Sequence, residues 1–129
     1  MSKIIKLKAR QVFDSRGNPT IEAEVYTKNN SASAICPSGA STGTYEAFEK
    51  RDKNNKRYLG KSVLNSVKII NKTISKKIIN LNVHNQELID HTLIKLDGTK
   101  QKRKLGANSI LVISMATKKL SSSGAGPNI

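Results

Sequence analysis

The sequence predicts an α+β domain, a three-stranded antiparallel meander followed by helices packed on one face. Two observations carry that prediction. Over residues 4–10, over 20–26 and again at Ala32, Ala34 and Cys36, apolar and polar residues alternate with a period of two. From Lys61 onward, apolar residues recur every three to four positions, the period of a helix. Short connections between successive strands favour antiparallel pairing. Strands that all precede the helices leave the helices to one side of the sheet.

The elements follow in order. Over residues 4–10, Ile5, Leu7 and Ala9 share one face, with Lys6, Lys8 and Arg10 on the other. Over residues 20–26, Ile21, Ala23 and Val25 alternate with Glu22, Glu24 and Tyr26. Lys28-Asn29-Asn30 reads as a turn, and Ala32, Ala34 and Cys36 as the inward positions of a third strand. The outward face then sets bases on the first strand beside acids on the second, a mildly stabilising arrangement. A first helix spans residues 61–79, with Val63, Val67, Ile70, Ile74 and Ile78 on its apolar stripe and Lys68, Lys72 and Lys76 elsewhere. A second spans residues 86–96, with Asn85 as N-cap, Gly98 as stop, and Ile89, Leu93 and Leu96 on its stripe. A third covers residues 105–119. Its centre, Ile110-Leu111-Val112-Ile113, is apolar on nearly all sides, which implies burial from more than one direction, as a partner domain would supply. Residues 1–120 read as one domain, and 121–129 have the composition of a flexible tail.

Composition narrows the function. At 36% hydrophobic, 129 residues support one modest core. No apolar run approaches the ~18 residues of a membrane span. The start of the chain lacks the apolar core of a signal peptide, so no membrane partner is expected. A lone cysteine, Cys36, forms no internal disulfide and suits a cytoplasmic setting. The net charge of +14 would attract nucleic acid. The lysines, however, are spread from Lys3 to Lys119, only Lys100-Gln101-Lys102-Arg103-Lys104 is dense, and aromatics are 4% with no Trp. Nucleic-acid binding is therefore expected to be weak and non-specific.

Two segments could carry chemistry. Asp14-Ser15-Arg16-Gly17-Asn18-Pro19-Thr20 has the makings of a polar turn. Pro37-Ser38-Gly39-Ala40-Ser41-Thr42-Gly43 is a loop of small residues, able to approach a ligand closely, with hydroxyls and carbonyls suited to a hard cation. Such a loop could close over a phosphate and metal, or be a plain connection. Gly60-Lys61-Ser62 is not a P-loop, because the required earlier glycine is Asn55. Glu46, Glu49 and Asp52 fall at helical spacing but read as a solvated acidic face. His84 and His91 show no metal-ligand or triad spacing.

In identity, order and spacing these strings resemble the opening of the enolase family. They are Ala9-Arg10, Asp14 to Thr20, Pro37 to Gly43, Tyr45-Glu46-Ala47 and Arg51-Asp52, then Tyr58-Leu59-Gly60-Lys61, Gln86, Asp90, Leu96-Asp97-Gly98-Thr99 and Leu105 to Leu111. The resemblance covers residues 3–118 and departs after Lys119; within it, Ser109 stands where the family usually has alanine. It implies reversible dehydration of 2-phosphoglycerate to phosphoenolpyruvate with Mg²⁺. The base, the acid and the first metal's ligands would belong to a carboxy-terminal barrel absent from this chain, which alone should be inactive. What the resemblance assigns here is a lid loop, Ser38, Gly39, Ala40, Ser41, Thr42 and Gly43, with Ser41 ligating a second Mg²⁺ through its hydroxyl and carbonyl oxygens. It further implies that Arg10 and Glu22 pair with the barrel of a homodimer partner. The alternative is a small basic binding protein that reuses an enolase-like domain without catalysis.

Overall fold

A computed structural model describes residues 2–37, 50–52, 62–99 and 104–125. The alternating segments form one sheet in the order β1-β2-β3, with β1 at Lys6–Phe13, β2 at Pro19–Tyr26 and β3 at Ser31–Ile35. Both pairings are antiparallel, and the register sets Ala9 against Ala23 and Ala23 against Ala34. Leu7, Ala9, Ile21, Ala23 and Val25 are buried on the inward face, and Cys36 extends it beyond β3. The turn into β2 is built by Asp14, whose Oδ1 accepts from the backbone N–H groups of Arg16 and Asn18, each at 2.9 Å. Gly17 takes φ +80° there, a conformation that L side chains rarely adopt.

The start of β1 differs from the alternation expected for residues 4–10. Ile4 is fully buried and Ile5 is exposed, so the phase slips by one residue ahead of Leu7. The cause is a second backbone partner. Ile4 N–H donates to Leu81 O at 2.9 Å and Asn80 N–H to Ile4 O at 2.8 Å, which takes Ile4 out of step with the strand.

The first helical rod starts at Leu64 rather than 61 and is not uniform. It comprises α1 (Leu64–Ile69), a π turn (Ile70–Ile74) and α2 (Ser75–Ile78). Its buried line is Ser66, Ile70, Ile74 and Ile78, four residues apart, and Val67 is only partly buried. The π turn carries Asn71, whose amide meets both backbone groups of Ala9. Ala9 N–H donates to Oδ1 at 2.7 Å and Nδ2 donates to Ala9 O at 3.1 Å. Together with the Ile4 contacts, this closes the outer edge of β1 against pairing with another chain.

The helix α3 (Gln86–Asp97) matches its sequence signals. Asn85 Oδ1 accepts from Leu88 N–H at 3.2 Å, and Gly98 ends the helix at φ +69°. The helix α4 spans Ala107–Ala125. It runs past the expected end at 119 and takes in Ser121 to Ala125 from the stretch read as tail. Leu120 is buried, and His84 Nδ1 lies 2.8 Å from Ser121 Oγ, so the last turns have tertiary partners. Val112 and Ile113 are fully buried between the sheet and α3, while Ile110 and Leu111 are partly buried. Within the described residues, burial from two directions is met for Val112 and Ile113, and Ile110 and Leu111 keep part of their surface uncovered. No helix of the described residues is long and apolar enough to cross a membrane.

Candidate functional site

The predicted loop residues Ser38, Gly39, Ala40, Ser41, Thr42 and Gly43 lie outside the described residues, as do Glu46 and Glu49. The chain on both sides of them is described. On the entry side, Cys36 N–H donates to Ile21 O and Thr20 Oγ1 donates to Cys36 O, both at 2.9 Å. On the exit side, residues 50–52 have no regular secondary structure but are held at each position. Lys50 N–H donates to Asn108 Oδ1, and Asn108 Nδ2 donates back to Lys50 O, both at 3.0 Å. Arg51 Nη1 donates to Pro19 O at 2.5 Å. Asp52 N–H donates to Ser62 O at 2.8 Å.

The Asp52 carboxylate has a definite task. Its Oδ2 accepts from Leu64 N–H and its Oδ1 from Asn65 N–H, each at 3.0 Å, which caps α1 from outside the helix. Gln11 Oε1 assists at the same end, accepting from Ser62 Oγ at 2.8 Å and Val63 N–H at 2.9 Å. Sequence spacing had placed Asp52 on a solvated acidic face; it is a helix cap, because Asp52 N–H pairs with Ser62 O and so brings its side chain to the free N–H groups of α1.

Asn108 is positioned by the approach to α4. The buried Asp97 carboxylate accepts from Leu105 N–H at 2.6 Å, from Thr99 N–H at 3.0 Å and from the Thr99 hydroxyl. Gly106 follows at φ +88°, and a Cβ there would fall 2.5 Å from Lys50 Cβ. Only glycine permits that approach. Sequence reasoning missed this role of Asn108 and Gly106. The one signal available was their place in the string Leu105-Gly106-Ala107-Asn108.

The outward face of the sheet brings Arg10 and Glu22 together. Arg10 Nη1 is 2.9 Å from Glu22 Oε1, and Nη2 is 2.6 Å from Glu24 Oε1. Glu24, which the sequence did not single out, is thus part of the cluster. Lys8 stands opposite Glu24 in the register, so the two carboxylates lie among the basic residues Lys6, Lys8 and Arg10 of β1. Lys6 Nζ sits 5.3 Å from the centre of the Tyr26 ring on the same face. Among the described residues, no group of three or more His, Cys, Asp or Glu side chains could hold a metal ion. The donor set assigned to Mg²⁺, a serine hydroxyl and its carbonyl, is hard oxygen and suits that ion chemically.

Compared with known proteins, residues 4–128 match the family described as "Enolase, N-terminal domain". That match extends beyond Lys119, where the motif resemblance ends. The chain is also 74% identical over 121 residues to a curated protein named "Enolase" from Pelagibacter ubique (strain HTCC1062). The aligned stretch covers 94% of this chain and 29% of that protein, so the chain spans less than a third of its relative's length.

Proposed function

The chain belongs to the enolase family through its amino-terminal domain, and from that premise we propose that it caps the active site of a cytoplasmic enzyme that reversibly dehydrates 2-phosphoglycerate to phosphoenolpyruvate in glycolysis and gluconeogenesis. The observation that carries this reading is the 74% identity, over nearly the whole chain, to a protein named Enolase. The reaction removes a proton α to a carboxylate, which is only weakly acidic, and Mg²⁺ supplies positive charge that stabilises the resulting enediolate. The base, the acid and the ligands of a first Mg²⁺ belong, in this reading, to a barrel domain outside these 129 residues. The part of this chain is to bring Ser38 to Gly43 over the substrate. Ser41 offers its hydroxyl and carbonyl oxygens to a second Mg²⁺, and the small neighbours Gly39, Ala40 and Thr42 let the backbone come close. Shielding from water strengthens every charge interaction beneath such a loop.

Arg10 and Glu22 are proposed to meet the barrel of a homodimer partner. What supports this is that the pair lies on the outward face of the sheet, with the Arg10 side chain 44% exposed and so open to a partner.

To test the reading, this domain would be joined to the carboxy-terminal part of the Pelagibacter ubique enolase. Phosphoenolpyruvate would be followed by absorbance across a Mg²⁺ titration. A folded chimera without turnover would defeat the enzymatic reading. Ser41→Ala should lower kcat and the apparent affinity for the second Mg²⁺, since it removes a contact made in the closed, reacting state. Ser38→Ala, the neighbouring hydroxyl, should do neither. If Ser41→Ala equals the parent, or Ser38→Ala suffers equally, the metal assignment is wrong.

A further inference from the structure

Three strings that the sequence singled out have no part in the chemistry above: Asp14 to Thr20, Arg51-Asp52, and Gly106 to Asn108. The structure brings all three to one place. We propose that Asn108 and Arg51 are positioning residues that hold the exit of the segment 38–49 at a fixed point, as Thr20 holds its entry, and that the accuracy of the active-site loop depends on them. This rests on the reading of Ser38 to Gly43 as the loop that meets the substrate.

The two ends share one support. Thr20 and Ile21 hold Cys36, and the adjacent Pro19 O accepts from Arg51. Entry and exit are therefore tied to three consecutive residues at the start of β2, a strand embedded in the centre of the sheet. The exit has a second support in α4. Asn108 reaches across 58 positions of sequence and satisfies both backbone groups of Lys50 with one planar amide, which fixes direction as well as place. The lack of a Cβ at Gly106 lets α4 approach close enough for this.

Residues 50–52 thus contact β2, the N-terminus of α1 and the N-terminus of α4 at once. Fixing both ends of a segment reduces the conformations open to it. A small displacement of the reacting geometry can cost about a hundredfold in rate.

Two measurements test this. In the 129-residue chain, amide hydrogen exchange would be followed by NMR for the parent, Asn108→Ala and Asn108→Asp. The informative amide is that of Asp52, which donates to Ser62 O and which Asn108 does not touch. Asn108→Ala should speed its exchange about tenfold while amides within α3 keep their protection. Asn108→Asp keeps the acceptor for Lys50 N–H but loses the donor to Lys50 O, and should fall between.

In the chimera, Asn108→Ala should lower kcat about tenfold and raise the Mg²⁺ midpoint without a matching loss of melting temperature, and Asn108→Asp should recover part of both. An unchanged Asp52 amide would overturn the anchor. A loosened amide with unchanged kcat and Mg²⁺ dependence would overturn its role in positioning. If Ser41→Ala is silent in the same chimera while the Asp52 amide loosens, the metal reading has failed and the anchor has not. Should Asn108→Ala not fold, Arg51→Lys tests the same exit, since it keeps the charge but loses the Nη1–H donor to Pro19 O, and the same outcomes decide.

Discussion

Replacing Ser109 with alanine should stabilise this domain. Ser109 lies in the first turn of α4 with no solvent exposure, and its hydroxyl has no hydrogen-bond partner among the described residues. A buried hydroxyl left unpaired costs roughly 1–3 kcal/mol. Alanine removes that cost and adds about 0.5 kcal/mol of helix propensity. The void left by one oxygen, on the order of 10 Å³, costs only ~0.2 kcal/mol at about 24 cal/mol per Å³. The favourable terms win by about 2 kcal/mol, a sizeable share of the ~5–15 kcal/mol that holds a domain together. For a chain of this size the melting temperature should rise by about 7 °C. Urea and thermal unfolding, followed by circular dichroism, would measure it. Ser75→Ala is the control, since Ser75 Oγ donates to Asn71 O at 2.7 Å and its loss should bring no gain. A Ser109→Ala protein no more stable than the parent would refute the reasoning and point to an ordered water or an unseen partner for the hydroxyl. The same substitution restores the alanine usual in enolases.

Three further outcomes are expected. Asn71→Ala should destabilise by about 2 kcal/mol in urea unfolding, because both backbone groups of Ala9 lose their partner; a loss under about 0.5 kcal/mol would mean that water replaces the amide fully. The 129-residue chain alone should not convert 2-phosphoglycerate with Mg²⁺ above the uncatalysed rate, since one loop cannot supply the roughly 8 kcal/mol or more that catalysis requires; turnover in a preparation free of host enolase would contradict this. Labelled oligonucleotides titrated across salt should bind weakly, with affinity falling steeply as salt rises and without sequence preference; tight selective binding at physiological salt would favour the non-catalytic basic module instead.

Much of this protein is written in local patterns. Alternation from Leu7 to Cys36 defined the sheet and its inward face, because successive side chains of a strand must point to opposite sides. Asn85 and Gly98 marked the ends of α3, because a cap bond and a left-handed stop involve only neighbouring residues. The family was legible in short strings whose order and spacing needed no coordinates. Other features were decided by tertiary structure. The phase slip at Ile4 depends on Leu81, the π turn on Ala9, and the reach of α4 to Ala125 on His84 and the pocket that buries Leu120. Asn108 could be read only as a residue near a helix start until Lys50 stood opposite it, 58 positions away. Patterns of three or four residues record the hydrogen bonds and faces that a segment makes with itself. A polar side chain that satisfies a distant backbone leaves no such periodicity, so its partner is known only once the core has folded and fixed what lies across from it.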